Sequence, residues 1–243
     1  DVYKRQDMRL IASNYTKVNE QLGLSFSGNY HHNDGFFTNL HTHKKADKLD
    51  NGAGRIGLTW KPAAHWTTRF ITSYEYSNQG GYPYGLYNAD KGTTEAVNYN
   101  NEGLYRRNLL TSGINIRYNG PHISFNSQTS YQYIQDKMGI DQDFSPRNIF
   151  YGQNKIRQHM YCQEFTVKSV NKSRYHWITG AFVFRQTINR KVDLSRFTDT
   201  TRHLTNSGIP TQGIAFYHQS TLDLLQGLSC SVGLRYDYEP VSY

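Results

Sequence analysis

The chain has 243 residues, enough for one large domain or two small ones. Apolar residues make up only 37% of it while 14% are aromatic (20 Tyr, 12 Phe and 3 Trp), which excludes a disordered chain and does not describe an ordinary water-soluble core. The net charge of +8 is spread thinly, with basic residues adjacent only at Lys4-Arg5, Lys44-Lys45, Arg106-Arg107 and Arg190-Lys191, so no nucleic-acid groove is built by the sequence itself.

No run approaches the roughly 18–20 apolar residues of a membrane-crossing helix. Residues 1–6, Asp1-Val2-Tyr3-Lys4-Arg5-Gln6, resemble read-through of a transposon-end adapter used to prepare sequencing libraries. They are set aside, and the natural N-terminus is expected upstream.

From there a period of two dominates, the mark of strands with one apolar face. A weak first strand over 8–18 leads to Leu22, Leu24, Phe26 and Tyr30, opposed by Ser25, Ser27 and Asn29. Ile56, Leu58 and Trp60 come next, then Trp66, Thr68, Phe70, Thr72, Tyr74 and Tyr76, opposed by Arg69, Ser73 and Glu75. Ser112, Ile114, Ile116 and Tyr118 oppose Asn115 and Arg117; Ile123, Phe125, Tyr131 and Tyr133 oppose Asn126, Gln128 and Gln132. Phe165 and Val167 oppose Glu164 and Lys168. Around 176–187 the stripe reads as Ile178, Phe182 and Phe184, leaving Trp177 on the other face. Ile214 and Phe216 run into His218, and Cys230, Val232, Leu234, Tyr236 and Tyr238 oppose Ser231, Arg235 and Asp237. Cys162 and Cys230 have opposite parity, which predicts opposite faces and no disulfide between them.

Ten strands of roughly 10–14 residues result. Their connections alternate in length. Asn19-Glu20, 61–64, Asn119-Gly120, 171–173 and Gln226-Gly227 are short; 33–51, 78–104, 136–156 and 188–211 are long. Outer-membrane barrels alternate in this way, with tight turns on one rim and long loops on the other. The fold class predicted is therefore all-β, an antiparallel transmembrane barrel, with about ten meander strands. Trp60, Trp66 and Tyr118 lie beside short turns, where an aromatic girdle would meet the lipid interface.

Particular strings then resemble the barrel region of TonB-dependent receptors, especially iron-complex receptors of Bacteroidota. They are Asp34-Gly35-Phe36-Phe37, Gly54-Arg55 leading through Leu58 and Trp60 to Lys61-Pro62, and Gln79-Gly80-Gly81-Tyr82-Pro83-Tyr84. Asp141-Gln142-Asp143-Phe144, Arg157-Gln158-His159, Gln163-Glu164-Phe165, Gly180-Ala181-Phe182 and Gly233-Leu234-Arg235-Tyr236-Asp237 follow in order. The resemblance covers nearly everything beyond residue 20. It implies a 22-stranded barrel, of which residues 7–243 would be a part lacking the plug and the C-terminal strands. It further implies outer-membrane lipid as surroundings, energy from the TonB complex through the missing N-terminal plug region, and a small-molecule ligand such as a ferric siderophore.

Ligand-binding candidates lie in the long connections: Tyr82, Tyr84, Tyr87 and Tyr99 in 78–104, and Asp141 and Phe144 in 136–156. Tyrosine offers contact area and a polar tip at low entropy cost, although any one of them could equally pack loop against loop. His41 and His43 could present two imidazoles from an extended segment, but bare loop histidines explain them better, and no metal or cofactor is expected. Gly52-Ala53-Gly54-Arg55-Ile56-Gly57 matches a dinucleotide fingerprint by letter only, since a strand rather than a helix follows. No Ser, His and carboxylate spacing singles out a nucleophile with its base, so no catalytic residue is named. On the polar stripe, Arg69, Glu75, Arg117, Glu164, Lys168 and Arg235 would keep a lumen wet or face a plug. Two alternatives stand beside a transporter. One is a small outer-membrane enzyme or adhesin, for which Tyr243 is a faint closing signal and Pro240 a contrary one. The other is a soluble glycan-binding β-sandwich.

Overall fold

A computed structural model describes residues 6–170 and 173–240. The adapter-like residues 1–5, Asn171 and Lys172 of one short turn, and Tyr243 lie outside the described residues. Ten antiparallel strands form one sheet in chain order: β1 (Asp7–Lys17), β2 (Leu22–Asn33), β3 (Leu49–Trp60), β4 (Trp66–Gly80), β7 (Leu104–Asn119), β8 (Ile123–Asp141), β9 (Phe150–Ser169), β10 (Tyr175–Arg196), β11 (Arg202–Leu225) and β12 (Leu228–Tyr238). Between β4 and β7 a two-residue ribbon joins β5 (Tyr87–Asn88) to β6 (Thr93–Thr94), an element with no apolar period to announce it.

Register fixes the faces, because residues directly opposite across an antiparallel pair share one side. One row runs Leu24, Leu58, Phe70, Ile114, Thr129, Gln163, Val183, Ile214, Tyr238. Its neighbour on the opposite side runs Arg69, Asn115, Gln128, Glu164, Phe182, Ala215, Asp237. The predicted apolar and polar stripes hold on every strand but β10. There the stripe is displaced by one residue: Ile178, Phe182 and Phe184 lie on the polar face, opposite Lys168, Glu164 and Cys162. The apolar face of β10 is Trp177, Thr179, Ala181 and Val183. Large side chains marked the wrong parity, whereas the pairing partners Phe165 and Phe216 decide it. Trp177 therefore joins Trp60 and Trp66 on the apolar face, near the short turns. Cys162 and Cys230 are free and on opposite faces.

Most of this apolar face is bare. The accessible surface is 16537 Å², against about 11,000 Å² for a compact monomer of this mass. Leu234 remains 79% and Val232 63% exposed, and no second sheet covers the main one among the described residues. That removes the sandwich alternative, whose inward stripes must meet across two layers. Where polar groups interrupt the apolar face they satisfy one another: Thr129 donates to Gln163, whose amide donates to Ser127 at 2.9 Å. Among the described residues no helix is long and apolar enough to cross a membrane.

The strands run longer than their apolar stripes. β10 has 22 residues and β11 has 24, so the expected loops 136–156 and 188–211 shrink to 142–149 and 197–201. Past the apolar stripe both faces are wetted, and backbone pairing continues without an apolar signature. Pro210 is tolerated in β11 because β12 pairs only from Ile214 onward, leaving that side of β11 unpaired there. The Asn119-Gly120 hairpin is also one residue longer than expected: Asn119 pairs with Ser124, and residues 120–122 make the turn.

Candidate functional site: a loop cap on the long-loop rim

Three connections interlock at the long-loop end. Residues 34–48 are folded by Asp47, whose carboxylate accepts the amides of Phe36 and Phe37 at 2.9 Å. Asn39 is buried and clamps residues 81–103: its amide donates to the Tyr99 carbonyl at 2.8 Å and its oxygen accepts the Tyr99 N–H at 3.3 Å. Leu40 N–H donates to the Val97 carbonyl at 2.9 Å, and Ala46, Val97 and Tyr99 form a small buried core. His32, the strand residue beside Asp34, together with the Gln6 N–H, holds the Asp34 carboxyl below the usual carboxylate range at the start of this loop.

Asp141 joins the third connection. It is 2% exposed and accepts amides from Asn101 at 3.2 Å, Asp143 at 3.1 Å and Phe144 at 3.0 Å. It stands about eighteen residues from the turn that starts β8, roughly 60 Å along the strand, far beyond an apolar band about 25 Å tall. Burial pushes its carboxyl up, against the pull of the amides it accepts. Phe144 takes a left-handed backbone (φ 52°), which turns its ring back toward Tyr84 at 5.2 Å between centroids.

Tyr82, Tyr99, Asp141 and Phe144 line one hollow of about 180 Å³ with Gln79, Tyr105 and Met138. Tyr84 stacks beside it, 5.6 Å from Tyr82. Five of the six sequence candidates thus meet. Tyr87 does not: it rides on the β5–β6 ribbon, 69% exposed. Within the five the roles divide, since Asp141 and Tyr99 are buried in the loop packing while Tyr82 and Tyr84 are exposed. The Tyr99 hydroxyl is buried with no hydrogen-bond partner among the described residues, and burial pushes it up to about 12, so it stays a neutral donor. Asn39, which no sequence signal marked, is the residue that locks two of these loops together.

Gly81 and Gly103 meet back to back at the base of the hollow: a Cβ on Gly81 would lie 2.6 Å from the Gly103 Cα. Gly81→Ala is expected to force the loop bases apart at about 1–3 kcal/mol, read as a lower unfolding midpoint in detergent. An unchanged midpoint would show that the contact is loose. His41 and His43 stand exposed in the first loop, and no cluster of three metal-ligating side chains occurs among the described residues.

The chain matches no protein-family model and no curated protein sequence. Solved structures do match. The ferric yersiniabactin uptake receptor FyuA from Yersinia pestis aligns over 96% of this chain with a TM-score of 0.80 and 14% identity. The fold is that of a TonB-dependent receptor barrel wall. The ferric citrate transporter FecA covers 97% at 0.76 and 9% identity; the ferric-catecholate import receptor Fiu from Escherichia coli covers 94% at 0.69 and 10%. This chain spans 37%, 35% and 42% of those three chains, respectively. In transmembrane β-barrels the apolar face meets lipid and the polar face the lumen; here the polar face carries Arg69, Glu75, Arg117, Glu164, Lys168 and Arg235.

Proposed function

We propose that the protein is an outer-membrane receptor that imports a scarce nutrient, with an iron complex as the first candidate ligand. The observation that supports this most is the single open-faced sheet, aligned over nearly its whole length with barrels of ferric-complex receptors. In this reading residues 7–243 are barrel wall, residues 1–6 are foreign, and the TonB complex acts through a plug region that this chain does not include. No catalytic residue and no resident cofactor is assigned.

The cap supplies the capture surface. Its 180 Å³ hollow is smaller than the roughly 300–1,000 Å³ of small-molecule sites, so a whole metal complex does not fit inside it. The ligand would instead lie across the exposed rings of Tyr82 and Tyr84 and the half-buried Phe144, while Tyr99 and Asp141 hold the loops beneath them. Tyr87, away from this cluster, plays no part.

The test is uptake of radiolabelled iron by iron-starved cells expressing the full receptor, offered ferric citrate, a ferric catecholate and ferric yersiniabactin in turn. Transport of at least one is expected, with the Tyr82→Ala, Tyr84→Ala, Phe144→Ala combination raising the half-saturating concentration about tenfold or more. Iron uptake from none of them would sink the iron reading; full uptake by the triple variant would sink the cap as capture surface.

A further inference from the structure

Five of the sequence's scattered cations meet on the apolar face. Arg106 on β7, Lys137 on β8, Lys155 on β9 and Lys191 on β10 are direct cross-strand partners in succession. Arg157 stands two residues away on the same face of β9. Like charges directly opposite repel, so three such pairs in a row weaken the sheet unless an anion lies over them. The carboxylates of this level make no direct contact with these cations. Asp50 is held by His32 and Tyr30. Asp193 takes a two-pronged contact from Arg202, so its charge, which also acts on Lys191 and Lys155 through space, is already shared. No ion pair reaches any of the five cations among the described residues; Arg106 touches only the Asn78 amide oxygen, at 3.0 Å.

Height matters as much as charge. On β7 and β8 the cations lie about twelve residues from the Tyr118 and Phe125 end, close to 40 Å along a strand, or roughly 30 Å of height at the usual tilt. That is just above an apolar band about 25 Å tall. Below the cations a second aromatic tier fills the same face. Tyr131 lies 4.7 Å from Tyr161, and Tyr133 4.9 Å from His159. The row is therefore placed where lipid headgroups of the loop-side leaflet begin.

We infer that Arg106, Lys137, Lys155, Arg157 and Lys191 form a docking site for the headgroup of a lipid carrying more than one phosphate. Four strands abreast span about 14 Å, too wide for one phosphate and suited to two. The inference rests on the membrane reading proposed above. The full receptor is reconstituted in phosphatidylcholine vesicles containing bisphosphorylated lipid A or its dephosphorylated form, and retained lipid is counted by native mass spectrometry. Retention of the phosphorylated form is expected to exceed the other by about tenfold or more. It should be lost in the Lys137→Gln, Lys155→Gln, Lys191→Gln combination, kept in Arg117→Gln, Lys168→Gln, Arg190→Gln on the opposite face, and not displaced by inorganic phosphate. Equal retention of both lipids, an undisturbed triple variant, or displacement by inorganic phosphate would each overturn the site. Quenching of Trp60, Trp66 and Trp177 by brominated acyl chains in the same vesicles separates the two failures. Quenching without phosphate preference refutes the headgroup site alone, and no quenching refutes the membrane reading.

Discussion

Arginine placed at Val183 is expected to cost about 2–4 kcal/mol of folding free energy in lipid, whereas arginine at the adjacent Phe184 costs less than about 1 kcal/mol. Val183 lies in the row of Phe70 and Ile114, four residues above the Thr179 level and near the middle of the apolar band. A guanidinium there must leave water or distort the bilayer. Phe184 faces the polar side beside Cys162 and Gly213, where water can hydrate the new charge. Phe70→Arg should behave like Val183→Arg. Reversible urea unfolding in vesicles gives the comparison. If Phe184→Arg proves the costlier of the two, the register of β10 is wrong by one residue, and Trp177 leaves the lipid face with it.

Asp141→Ala is expected to remove about 3 kcal/mol and to loosen the cap before the barrel wall. The loss leaves three amides, those of Asn101, Asp143 and Phe144, without their acceptor. Each buried orphan costs about 1–3 kcal/mol, reduced where water enters the opened loop. Asp141→Asn should recover about half, because its oxygen can still accept from Asp143 and Phe144 while its amide opposes the Asn101 N–H. Hydrogen exchange is the informative measurement. Amides of 142–149 and 99–101 should lose protection while those of β7 and β8 keep theirs. Uniform loss across the sheet would mean that Asp141 supports the wall rather than the cap.

Much of the candidate site was legible as residue type but not as arrangement. Tyr82, Tyr84, Tyr99, Asp141 and Phe144 stood out as aromatic or acidic groups in polar connections. Nothing in their spacing said that Asn39, sixty residues from Tyr99, would clamp two loops, or that Tyr87 would be carried off on a ribbon of its own. The cation row was less legible still. In the sequence its members are separated by long intervals and read as dispersed solvated charge, yet antiparallel pairing sets them side by side.

The sequence by itself determined the alternation of faces on eight of the ten long strands, the long connections 34–48, 81–103 and 142–149 between short ones, and the placing of Trp60, Trp66 and Tyr118 beside short turns. These are local properties: a period of two and a turn residue act within a few bonds, and lipid on one side reinforces them. Tertiary structure alone decided the parity of β10, the continuation of β8 to β11 beyond the apolar band, the cap, and the cross-strand ladder of cations. Each depends on which residue of a distant strand stands opposite, and register is a pairwise quantity that no single strand carries.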